Sequence, residues 1–447
     1  MALTGMAVYK MLPRTNCKEC GFPTCMAFAM QVAAKQKALT DCPKLSEEAK
    51  TEMADASAPP MRLVHIGPTD ESGIDVGQET VMFRHEEKFH KQPALAVRIA
   101  PSLSDSEAAA RLAKIGKSRF TRVGQEIGVR LAALDLTGLA AEQAAQRVKS
   151  LASGSPVPFV LMTEDAQVMS AAAGEIAAQK PLLYRATPAN VETFAALAAE
   201  LKCALAVSAA SLAELADLTK AAREKGAEEL ILAFSGGNTA QTVRDITTAR
   251  RAALKKGFRA LGYPAMVDVA ADDPLKETAL AATFVAKYAA IVLIDGLEPE
   301  ELLAVLTTAQ NIYTDPQVPN TVEPTLREIG AVGTNSPVLF TTNFALTYFC
   351  VEAEVERSKI PTYISVVETE GLGVLNAFAG DKLSPAEVVK TLAEQKVAEK
   401  VSHRKLIIPG LLPSFRAEIE DTSEWKEVLI GPETAAGIPA FLNEHWK

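Results

Sequence analysis

Four cysteines near the N-terminus have the spacing of a metal centre. Cys17, Cys20, Cys25 and Cys42 follow the pattern C-x2-C-x4-C-x16-C, whereas the other two cysteines of the chain are isolated and distant. Thiols placed so closely are prone to oxidation unless they bind something, and thiolates are the ligands that zinc and iron–sulfur clusters prefer. A metal centre would also stabilise a segment too short to bury a hydrophobic core of its own.

The spacing favours a 4Fe–4S cluster. Structural zinc usually has two C-x2-C pairs, and only the first pair here has that form. Gly21 and Pro23 suit a tight turn that leaves backbone N–H groups free to bond sulfur, and Cys42-Pro43 has the Cys-Pro ending of bacterial ferredoxin motifs. Residues 26–41 are long enough for a short helix and a return. A zinc site and disulfides are the alternatives.

Basic residues surround these cysteines, with only Glu19 and Asp41 as acidic neighbours. The cationic residues of this stretch are Lys10, Arg14, Lys18, Lys35, Lys37 and Lys44. Such a shell would offset the negative charge of a cluster and attract an acidic redox partner. A solvated helix face explains Lys35 and Lys37 equally well.

Length and composition predict a multidomain protein of the cytoplasm. The 447 residues suffice for two or three domains, and 48% of them are hydrophobic. A net charge of −9 argues against non-specific binding to nucleic acid. The chain has no apolar stretch long enough for a membrane span, and its first residues lack the features of a secretory signal. We therefore expect a reducing, cytoplasmic setting, without nucleic-acid or membrane partners.

Proline-rich segments divide the chain into three predicted domains. We assign residues 1–58 to a cluster domain, 61–318 to a barrel and 323–447 to a C-terminal α/β domain, with linkers at 57–60 and 316–324.

Two smaller features lie near the first linker. Residues 46–55 resemble a polar helix capped by Ser46, and residues 61–66 and 80–84 resemble the strands of a hairpin. This region contains three histidines, His65, His85 and His90. They lack the spacing of a metal-binding motif, so we interpret them as ordinary polar residues.

Short apolar runs then alternate with alanine-rich helical segments eight times between about residues 95 and 315. The predicted strands are 95–100, 129–136, 159–163, 182–186, 204–208, 230–235, 265–270 and 291–295. This alternation predicts a (β/α)8 TIM barrel.

The active site of such a barrel would lie at the carboxyl ends of its strands. The polar residues there form a sparse, mixed set: Asp135, Thr163, Glu164, Asp165, Arg185, Ser208, Ser235, Asp268 and Asp295. No histidine or lysine among them is an evident base, and the segment 235–238 suits a phosphate or an ordinary turn equally well. The fold alone does not establish a catalytic barrel.

The C-terminal pattern predicts a doubly wound α/β domain. Its predicted strands are 338–342, 362–367, 406–408 and 427–430, and its predicted helices are 344–356, 384–397 and 433–443. Open α/β sheets bind ligands outside the carboxyl ends of their strands. The segments there, rich in hydroxyl, glycine and aliphatic residues, are 341–343, 370–374, 409–413 and 431–435. They suit a large flat ligand better than hydrolysis, and ordinary tight turns are the alternative.

The whole chain resembles the large subunit of the corrinoid iron–sulfur protein of the reductive acetyl-CoA pathway, which is related to the gamma subunit of the archaeal acetyl-CoA decarbonylase/synthase complex. The segments that carry the resemblance are NCKECGFPTC…DCP, LTGMAVYKMLP, YTDPQVP, EIGAVGTNSP, TTNFALTYF, IIPG and GPETAAGI. The cluster motif alone is less specific, because electron-transfer subunits share it.

The resemblance implies a methyl carrier, which is a component of a corrinoid-dependent methyltransferase system. It assigns no catalytic residue to this chain. Cobalt would accept a methyl group from methyltetrahydrofolate and pass it to acetyl-CoA synthase, and the 4Fe–4S cluster would return inactive Co(II) to Co(I). The cluster ligands would be Cys17, Cys20, Cys25 and Cys42. The corrinoid contacts would be Thr341, Thr342, Thr347, Gly371, Leu372, Gly373, Val374, Leu375, Asn376, Pro409, Gly410, Leu411, Leu412, Glu433, Thr434 and Ala435. Gly373 and Asn376 stand where the family often carries hydroxyl side chains.

The family also implies partners. These are a small barrel subunit that completes a heterodimer, a methyltetrahydrofolate methyltransferase, acetyl-CoA synthase/CO dehydrogenase, and a low-potential electron donor such as ferredoxin.

Many corrinoid proteins supply an axial imidazole from the motif Asp-x-His-x-x-Gly, which none of the five histidines here matches. We therefore predict a base-off corrinoid without a side-chain ligand, because loss of an axial nitrogen favours Co(I). Of the two histidines in the predicted corrinoid domain, His403 is the one to test. Two other functions stay open: a ferredoxin-like electron-transfer subunit without corrinoid, and a pterin-dependent barrel methyltransferase regulated by its cluster.

Overall fold

The computed structural model describes residues 5–34, 36–37, 41–46, 59–68 and 72–446. Two compact units make up the chain: Met1–Phe120 with Gly128–Tyr313, and Thr314–Lys447 with Thr121–Ile127. The three predicted domain boundaries stay predictions, because a division into two units does not test a division into three. The helix predicted over residues 46–55 lies outside the described residues except for Ser46.

Two short helices hold the cysteine-rich segment. Helix α1 spans Gly5–Met11 and helix α2 spans Cys25–Ala33. Thr24 begins α2 as its N-cap, since its hydroxyl accepts a hydrogen bond from a backbone N–H of the first turn. Apolar side chains of both helices pack with the buried Cys25 and Cys42, so that part of the cysteine cluster belongs to a small hydrophobic core.

A hairpin precedes the barrel. Strand β1 (Leu63–Ile66) pairs antiparallel with β2 (Ile74–Gly77). The predicted second strand over 80–84 is wrong. The strand forms earlier because Ile74 and Val76 alternate with polar or small residues and place an apolar face on the barrel core.

Eight parallel strands close into the predicted barrel, in sequential order around it. They are β3 (Ala94–Ile99), β6 (Leu131–Asp135), β7 (Phe159–Met162), β8 (Leu182–Ala186), β9 (Leu205–Val207), β10 (Leu230–Ser235), β11 (Ala265–Asp268) and β12 (Ala289–Ile294). Their inward side chains form one continuous core with the hairpin.

A helix follows each of these strands. The eight helices are α3 (Asp105–Lys117), α4 (Ala141–Ala152), α5 (Ala166–Glu175), α6 (Val191–Leu201), α7 (Leu212–Glu224), α8 (Thr239–Lys256), α9 (Pro274–Ala286) and α10 (Pro299–Tyr313). Short polar side chains cap most of their N-termini, namely Ser104, Asp165, Ser211, Asn238 and Asp273.

An unpredicted hairpin lies between α3 and β6. Its strands are β4 (Arg119–Arg122) and β5 (Gln125–Gly128), and its two-residue turn places Val123 and Gly124 at φ values of 50° and 67°. Both values are typical of a type I′ turn, which usually reads Asn-Gly. A valine in the first position hides that signal, and the hairpin tip, Thr121–Ile127, groups with the C-terminal unit.

The C-terminal unit contains a five-stranded sheet in the order β13-β15-β14-β16-β17. The strands are β13 (Leu326–Ile329), β14 (Val338–Thr342), β15 (Thr362–Val367), β16 (Lys405–Ile408) and β17 (Glu427–Ile430). Four of them are parallel and were predicted. The unpredicted β13 pairs antiparallel at one edge, where its side chains are only partly buried and its sequence is half charged.

Helices cover both faces of this sheet. They are α11 (Ala345–Ser358), α12 (Val374–Ala379), α13 (Pro385–Glu394), α14 (Val397–Lys400), α15 (Phe415–Thr422) and α16 (Ile438–His445). The helix predicted over 384–397 breaks at Lys396, which has a left-handed conformation, and the one predicted from 433 begins at Ile438 after a 3-10 turn. Separate cores on the two faces, around Phe340 and around Ile364, confirm the doubly wound architecture.

Within the part of the chain that the structure describes, none of the helices combines the length and the apolar character required to cross a membrane.

Candidate functional site

The four clustered cysteines lie around the start of α2. Cys25 is the first residue of that helix. Its backbone N–H donates to the side-chain oxygen of Asn16 at 2.8 Å, which fastens the preceding loop to the helix. Cys25 and Cys42 are buried, while Cys17 and Cys20 are half-buried.

The loop between the first two cysteines uses left-handed backbone conformations. Asn16, Lys18 and Gly21 have φ values of 48°, 66° and 83°. The N–H of Gly21 donates to the carbonyl of Lys18 at 2.9 Å. That N–H closes the turn, so it is not one of the N–H groups available to bond sulfur, and the expectation for the other N–H groups of the turn stays a prediction. The positive φ of Gly21 is what favours glycine at this position. Crowding does not require it, because no neighbouring atom lies close to the place of a Cβ.

Burial and electrostatic interactions among the thiols shift the pKa of Cys42. Burial raises the pKa of Cys42, a hydrogen bond to the backbone of Lys44 opposes this, and the nearby thiols of Cys20, Cys17 and Cys25 raise it further. Thiolates that repel one another in this way are stabilised together by a cationic centre. Among the described residues, His, Cys, Asp and Glu side chains form no group compact enough for a single metal ion. The ligands of a cubane cluster each bind a different iron, so they are spread over its corners.

The cationic shell is smaller than the sequence suggests. Lys44 Nζ lies 2.6 Å from Glu19 Oε1, so these two charges offset each other. Of the other predicted cationic residues, Lys10, Arg14, Lys18 and Lys37 are exposed, and Lys35 lies outside the described residues.

A pocket of about 520 Å³ opens at the carboxyl edge of the C-terminal sheet. It lies at the ends of β14 and β16, between the loop that begins α12, the loops after β16 and β17, and one side of α11. The chain leaves β14 for β15 on one side and later returns to β16 on the other. This is the topological switch point at which doubly wound sheets bind their ligands.

The pocket contains a buried hydroxyl without a partner. Thr341 is 1% exposed and lines the pocket, and its Oγ1 has no hydrogen-bond partner among the described residues. Thr342 is equally buried and unpaired but does not line the pocket. An unpaired buried hydroxyl costs about 1–3 kcal/mol, so Thr341 Oγ1 is suited to bond a ligand.

Large apolar side chains stand at the rim of the pocket. Leu346, Leu375 and Leu411 line it and are all exposed. Exposed apolar side chains around a concave site are typical of a surface that a ligand or a partner covers. Together with the hydroxyl, they suit a large ligand with apolar faces and a polar periphery.

Most of the predicted contact residues meet in this pocket. Those that line it are Thr341, Thr347, Gly373, Val374, Leu375, Asn376, Pro409, Leu411, Glu433 and Ala435. Those that do not line it are Thr342, Gly371, Leu372, Gly410, Leu412 and Thr434. Leu412 belongs to the hydrophobic core, and Gly410 allows two loops to approach, since a side chain there would collide with the backbone of Gly431.

Gly431 and Pro432 also line the pocket and belong to the segment 431–435 that the fold rule indicates. Sequence reasoning missed eight other lining residues, which are Leu339, Phe340, Leu346, Cys350, Val351, Ile407, Ile408 and Ile438. Helical spacing could have identified two of them, because Cys350 and Val351 follow Thr347 by three and four residues on α11. The strand residues carry no such signal, because apolar strand positions read equally as core.

None of the residues that line the pocket is a histidine. His403 instead points at the backbone: Nε2 lies 2.9 Å from the carbonyl of Ser336, and Nδ1 accepts from the N–H of Lys405 at 3.2 Å. Its ring also packs edge-on against Trp446.

Two arginines at the mouth of the barrel pair with carboxylates. Arg98, which sequence reasoning did not single out, lies 2.6 Å from Asp268 and 3.4 Å from Asp295. Arg185 pairs with Glu164 at 2.8 Å.

The helix-starting residues at this mouth serve as caps. Asp165 caps α5, and Asn238 in the glycine-containing segment 235–238 caps α8. That segment is therefore an ordinary βα turn.

Comparisons with known proteins agree with this architecture. A family profile described as "CO dehydrogenase/acetyl-CoA synthase delta subunit" matches residues 63–442, and one described as "Putative Fe-S cluster" matches residues 12–44. The chain is 41% identical over 443 residues to the corrinoid/iron-sulfur protein large subunit of Moorella thermoacetica, covering 99% of this chain and 98% of that one.

Two archaeal relatives are also similar along their whole length. The acetyl-CoA decarbonylase/synthase complex subunit gamma of Methanothermobacter thermautotrophicus is 34% identical, with 99% of each chain covered. The same subunit of Methanopyrus kandleri is 35% identical, with 99% and 98% covered. The delta-subunit profile begins after the cysteines, whereas the similarity to these relatives extends over the cysteine-containing segment. The resemblance inferred from the sequence is confirmed: within the wider CO dehydrogenase/acetyl-CoA synthase delta-subunit family, the chain belongs to the corrinoid/iron-sulfur protein large subunits and acetyl-CoA decarbonylase/synthase gamma subunits.

Proposed function

We propose that this chain is a methyl carrier of the acetyl-CoA pathway that binds a corrinoid in the C-terminal pocket and a 4Fe–4S cluster at Cys17, Cys20, Cys25 and Cys42. The observation that carries the proposal is the apolar pocket with the unpaired hydroxyl of Thr341 at the switch point of the sheet. The ligand of this pocket is proposed to be a corrinoid because the chain is 41% identical to a corrinoid/iron-sulfur protein large subunit.

The residues of the pocket fit a corrinoid. A corrin ring presents two broad apolar faces and a periphery of amide groups. The exposed leucines of the rim would contact the faces and exclude water, while Thr341 and Asn376 would bond the amides. Gly373 lines the pocket without a side chain and so leaves the space beside Phe344 and Thr347 open to the ligand.

When bound, the corrinoid supplies a cobalt that accepts and releases a methyl group and changes oxidation state. No imidazole lines the pocket in the described part of the chain, which agrees with a base-off corrinoid that has no side-chain ligand. His403 is held by backbone groups instead. A weakly donating environment beneath the ring favours the reduced metal.

The four cysteines would hold a cluster that supplies electrons one at a time for reactivation. The exposed Lys10, Arg14 and Lys18 suit an acidic, low-potential donor such as ferredoxin. We also propose the remaining partners that the family implies: a small barrel subunit in a heterodimer, a methyltetrahydrofolate methyltransferase and acetyl-CoA synthase. A reducing cytoplasm is the setting in which these thiols would remain free to bind iron.

Spectroscopy of the full chain, purified and reconstituted without oxygen, tests the proposal. We expect broad iron–sulfur absorption together with corrinoid bands after loading with a base-off corrinoid. Iron–sulfur absorption without any retained corrinoid would instead support the alternative of an electron-transfer subunit.

Alkylation of Cys350 reports whether the corrinoid occupies the pocket. This thiol is exposed and lines the pocket, whereas Cys203 is buried and its pKa is raised to about 12, so Cys203 reacts slowly. We expect corrinoid to protect Cys350 from iodoacetamide, as measured by peptide mass spectrometry. Retained corrinoid with unchanged alkylation of Cys350 would place the ligand elsewhere.

A pair of variants at Gly373 adds a steric test. Its φ is −69°, and an added Cβ would make only ordinary contacts at 3.6 Å, so Gly373→Ala should bind corrinoid as wild type does. Gly373→Leu should weaken binding about 10- to 100-fold, since a side chain forced into an occupied site costs about 1–3 kcal/mol. Equal affinities of the two variants would contradict the proposed site.

A further inference from the structure

A buried amide lies behind the pocket, outside its lining. Asn343 directly follows β14 and is 2% exposed. Its backbone N–H donates to the carbonyl of Val367 at 2.9 Å, and its own carbonyl accepts from the N–H of Val322 at 2.9 Å. The residue therefore joins the ends of two neighbouring strands to the segment that precedes the sheet.

The side chain of Asn343 uses both ends of its amide. Its Oδ1 accepts from the N–H of Thr369 at 3.0 Å and from the N–H of Gly371 at 3.1 Å, and the hydroxyl of Thr369 lies 2.9 Å from the same oxygen. Its Nδ2 donates to Glu368 Oε1 at 2.9 Å. One side chain thus bonds to three residues of the loop after β15.

This loop has a conformation that needs such support. Glu370 and Gly371 have consecutive positive φ values of 55° and 73°. The first is unfavourable for a residue with a side chain, and glycine is required at the second, because a Cβ would lie 2.8 Å from atoms of both Pro319 and Thr321. A strained loop persists only where surrounding contacts determine its shape.

The loop leads directly into the pocket. The hydroxyl of Thr369 also lies 2.9 Å from the carbonyl of Leu372, the residue before Gly373. The next four residues, Gly373 to Asn376, all line the pocket. The position of these four residues therefore depends on the loop that Asn343 holds.

We propose that Asn343 is a positioning residue for the corrinoid site: its buried amide fixes the loop of residues 368–372 and thereby presents Gly373 to Asn376 to the ligand. It touches no ligand itself. The inference rests on the proposed function, because it names what the positioned residues bind. Aspartate could not replace this asparagine, since its carboxylate would lack the donor and would face the carboxylate of Glu368.

The test compares three variants of the full chain. Asn343→Ala removes the amide, and Thr369→Val removes the hydroxyl that lies beside Asn343 Oδ1 and the carbonyl of Leu372, with little change of shape and with the backbone N–H of residue 369 retained. Ser365→Ala is the matched control, because the Ser365 hydroxyl is also buried in this sheet and donates to Gln395 Oε1 at 2.7 Å, but does not line the pocket. Corrinoid affinity is measured by absorbance titration, and loop order by hydrogen exchange of the corrinoid-free chain.

We expect Asn343→Ala to weaken corrinoid binding about tenfold relative to Ser365→Ala, because it leaves two buried backbone N–H groups without an acceptor. Amides of residues 369–376 should exchange faster in Asn343→Ala and in Thr369→Val, but not in the control. Thr369→Val carries the same test if Asn343→Ala does not fold.

Two results would overturn the inference: exchange of residues 369–376 as slow as in wild type, or an affinity loss no larger than that of Ser365→Ala. Failure of the wild-type chain to bind corrinoid would instead refute the proposed function, and the exchange measurement on the corrinoid-free chain separates the two cases.

Discussion

Two sets of strand ends in this molecule have the same architecture but different chemistry. At the mouth of the barrel, Arg98 lies between Asp268 and Asp295, and its neighbours are likewise paired or serve as helix caps. At the carboxyl edge of the C-terminal sheet, the side chains are mostly apolar, and the hydroxyl of Thr341 has no partner among the described residues. At the barrel mouth the charges largely pair with one another, although the buried Nε of Arg98 has no hydrogen-bond partner among the described residues, whereas the edge of the C-terminal sheet combines an unpaired hydroxyl with an open apolar surface.

The position of strand ends in a parallel sheet indicates a ligand site only when it is known which side chains there already have hydrogen-bond or ion-pair partners. Parallel sheets place ligands at the carboxyl ends of their strands in both architectures. Charged groups that already bond one another have little to offer a ligand, whereas an open apolar surface with an unpaired hydroxyl gains by binding one. If the two edges are as independent as their chemistry indicates, a substitution at one edge leaves the properties of the other unchanged.

Breaking the ion pair at the barrel mouth should have the largest effect on stability. Arg98→Met keeps the aliphatic volume but leaves Asp268 and Asp295 without their cation. We expect a loss of about 1–3 kcal/mol in the stability of the barrel, less than for a fully buried pair because Arg98 is partly exposed. Faster hydrogen exchange in β3 and β11 would report the loss. Corrinoid affinity should not change, and a marked decrease would show that the mouth takes part in binding.

The unpaired hydroxyls of the other edge offer a smaller and opposite effect. Thr341→Val should stabilise the corrinoid-free protein by up to about 1 kcal/mol, because it removes a buried polar group without a partner. The same change should weaken corrinoid binding by about three- to tenfold, since the ligand then loses its hydrogen bond. Thermal unfolding and absorbance titration measure the two quantities.

Thr342→Val is the matched control for this prediction, because Thr342 is equally buried and unpaired but does not line the pocket. It should stabilise the protein without changing the affinity. If both variants bind corrinoid as wild type does, Thr341 does not contact the ligand.

The sequence predicted best those elements that are determined by the pattern of their own residues. The strands 338–342 and 362–367 are continuous apolar runs and were predicted with their observed ends. The strand 326–329 was missed because it lies at an edge and is half charged, and the hairpin tip at Val123 and Gly124 because valine is an unusual residue for its turn.

The candidate site was predictable only in part for the same reason. The loops after the strands follow from the fold rule, and most of their predicted residues line the pocket. Cys350 and Val351 could have been inferred by helical spacing from Thr347, but the lining strand residues Leu339 and Ile407 read equally as core. The role of Asn343 depends on two loops that meet in space, and no spacing along the chain shows this.

The smallest expected effect concerns the hairpin that packs on the barrel core. His65 Nδ1 lies 2.9 Å from Asp75 Oδ1, and His65 Nε2 lies 2.7 Å from the carbonyl of Pro68. Both partners are acceptors, so only the protonated ring donates to both. Burial alone would lower the pKa of His65, but the hydrogen bonds to Asp75 and Pro68 outweigh it and raise that pKa. The hydrogen bond from His65 in turn lowers the pKa of Asp75.

The sign of the pH dependence follows from these two shifts. Stability from His65 is fully present below the ordinary pKa of histidine and is lost as the pH rises through the raised pKa of the folded state. Stability from Asp75 is present above its ordinary pKa and is lost only in stronger acid, so the pair is most favourable in mild acid. Because both side chains are partly exposed, we expect less than about 1 kcal/mol. Hydrogen exchange of β1 and β2, corrected for intrinsic rates, should therefore be slower at about pH 5.5 than at about pH 8.5 in the wild type. His65→Gln should remove the difference, whereas the amides of β7, an entirely apolar and buried strand of the same barrel, should show none in either protein. A pH dependence that survives in His65→Gln would assign it to another group.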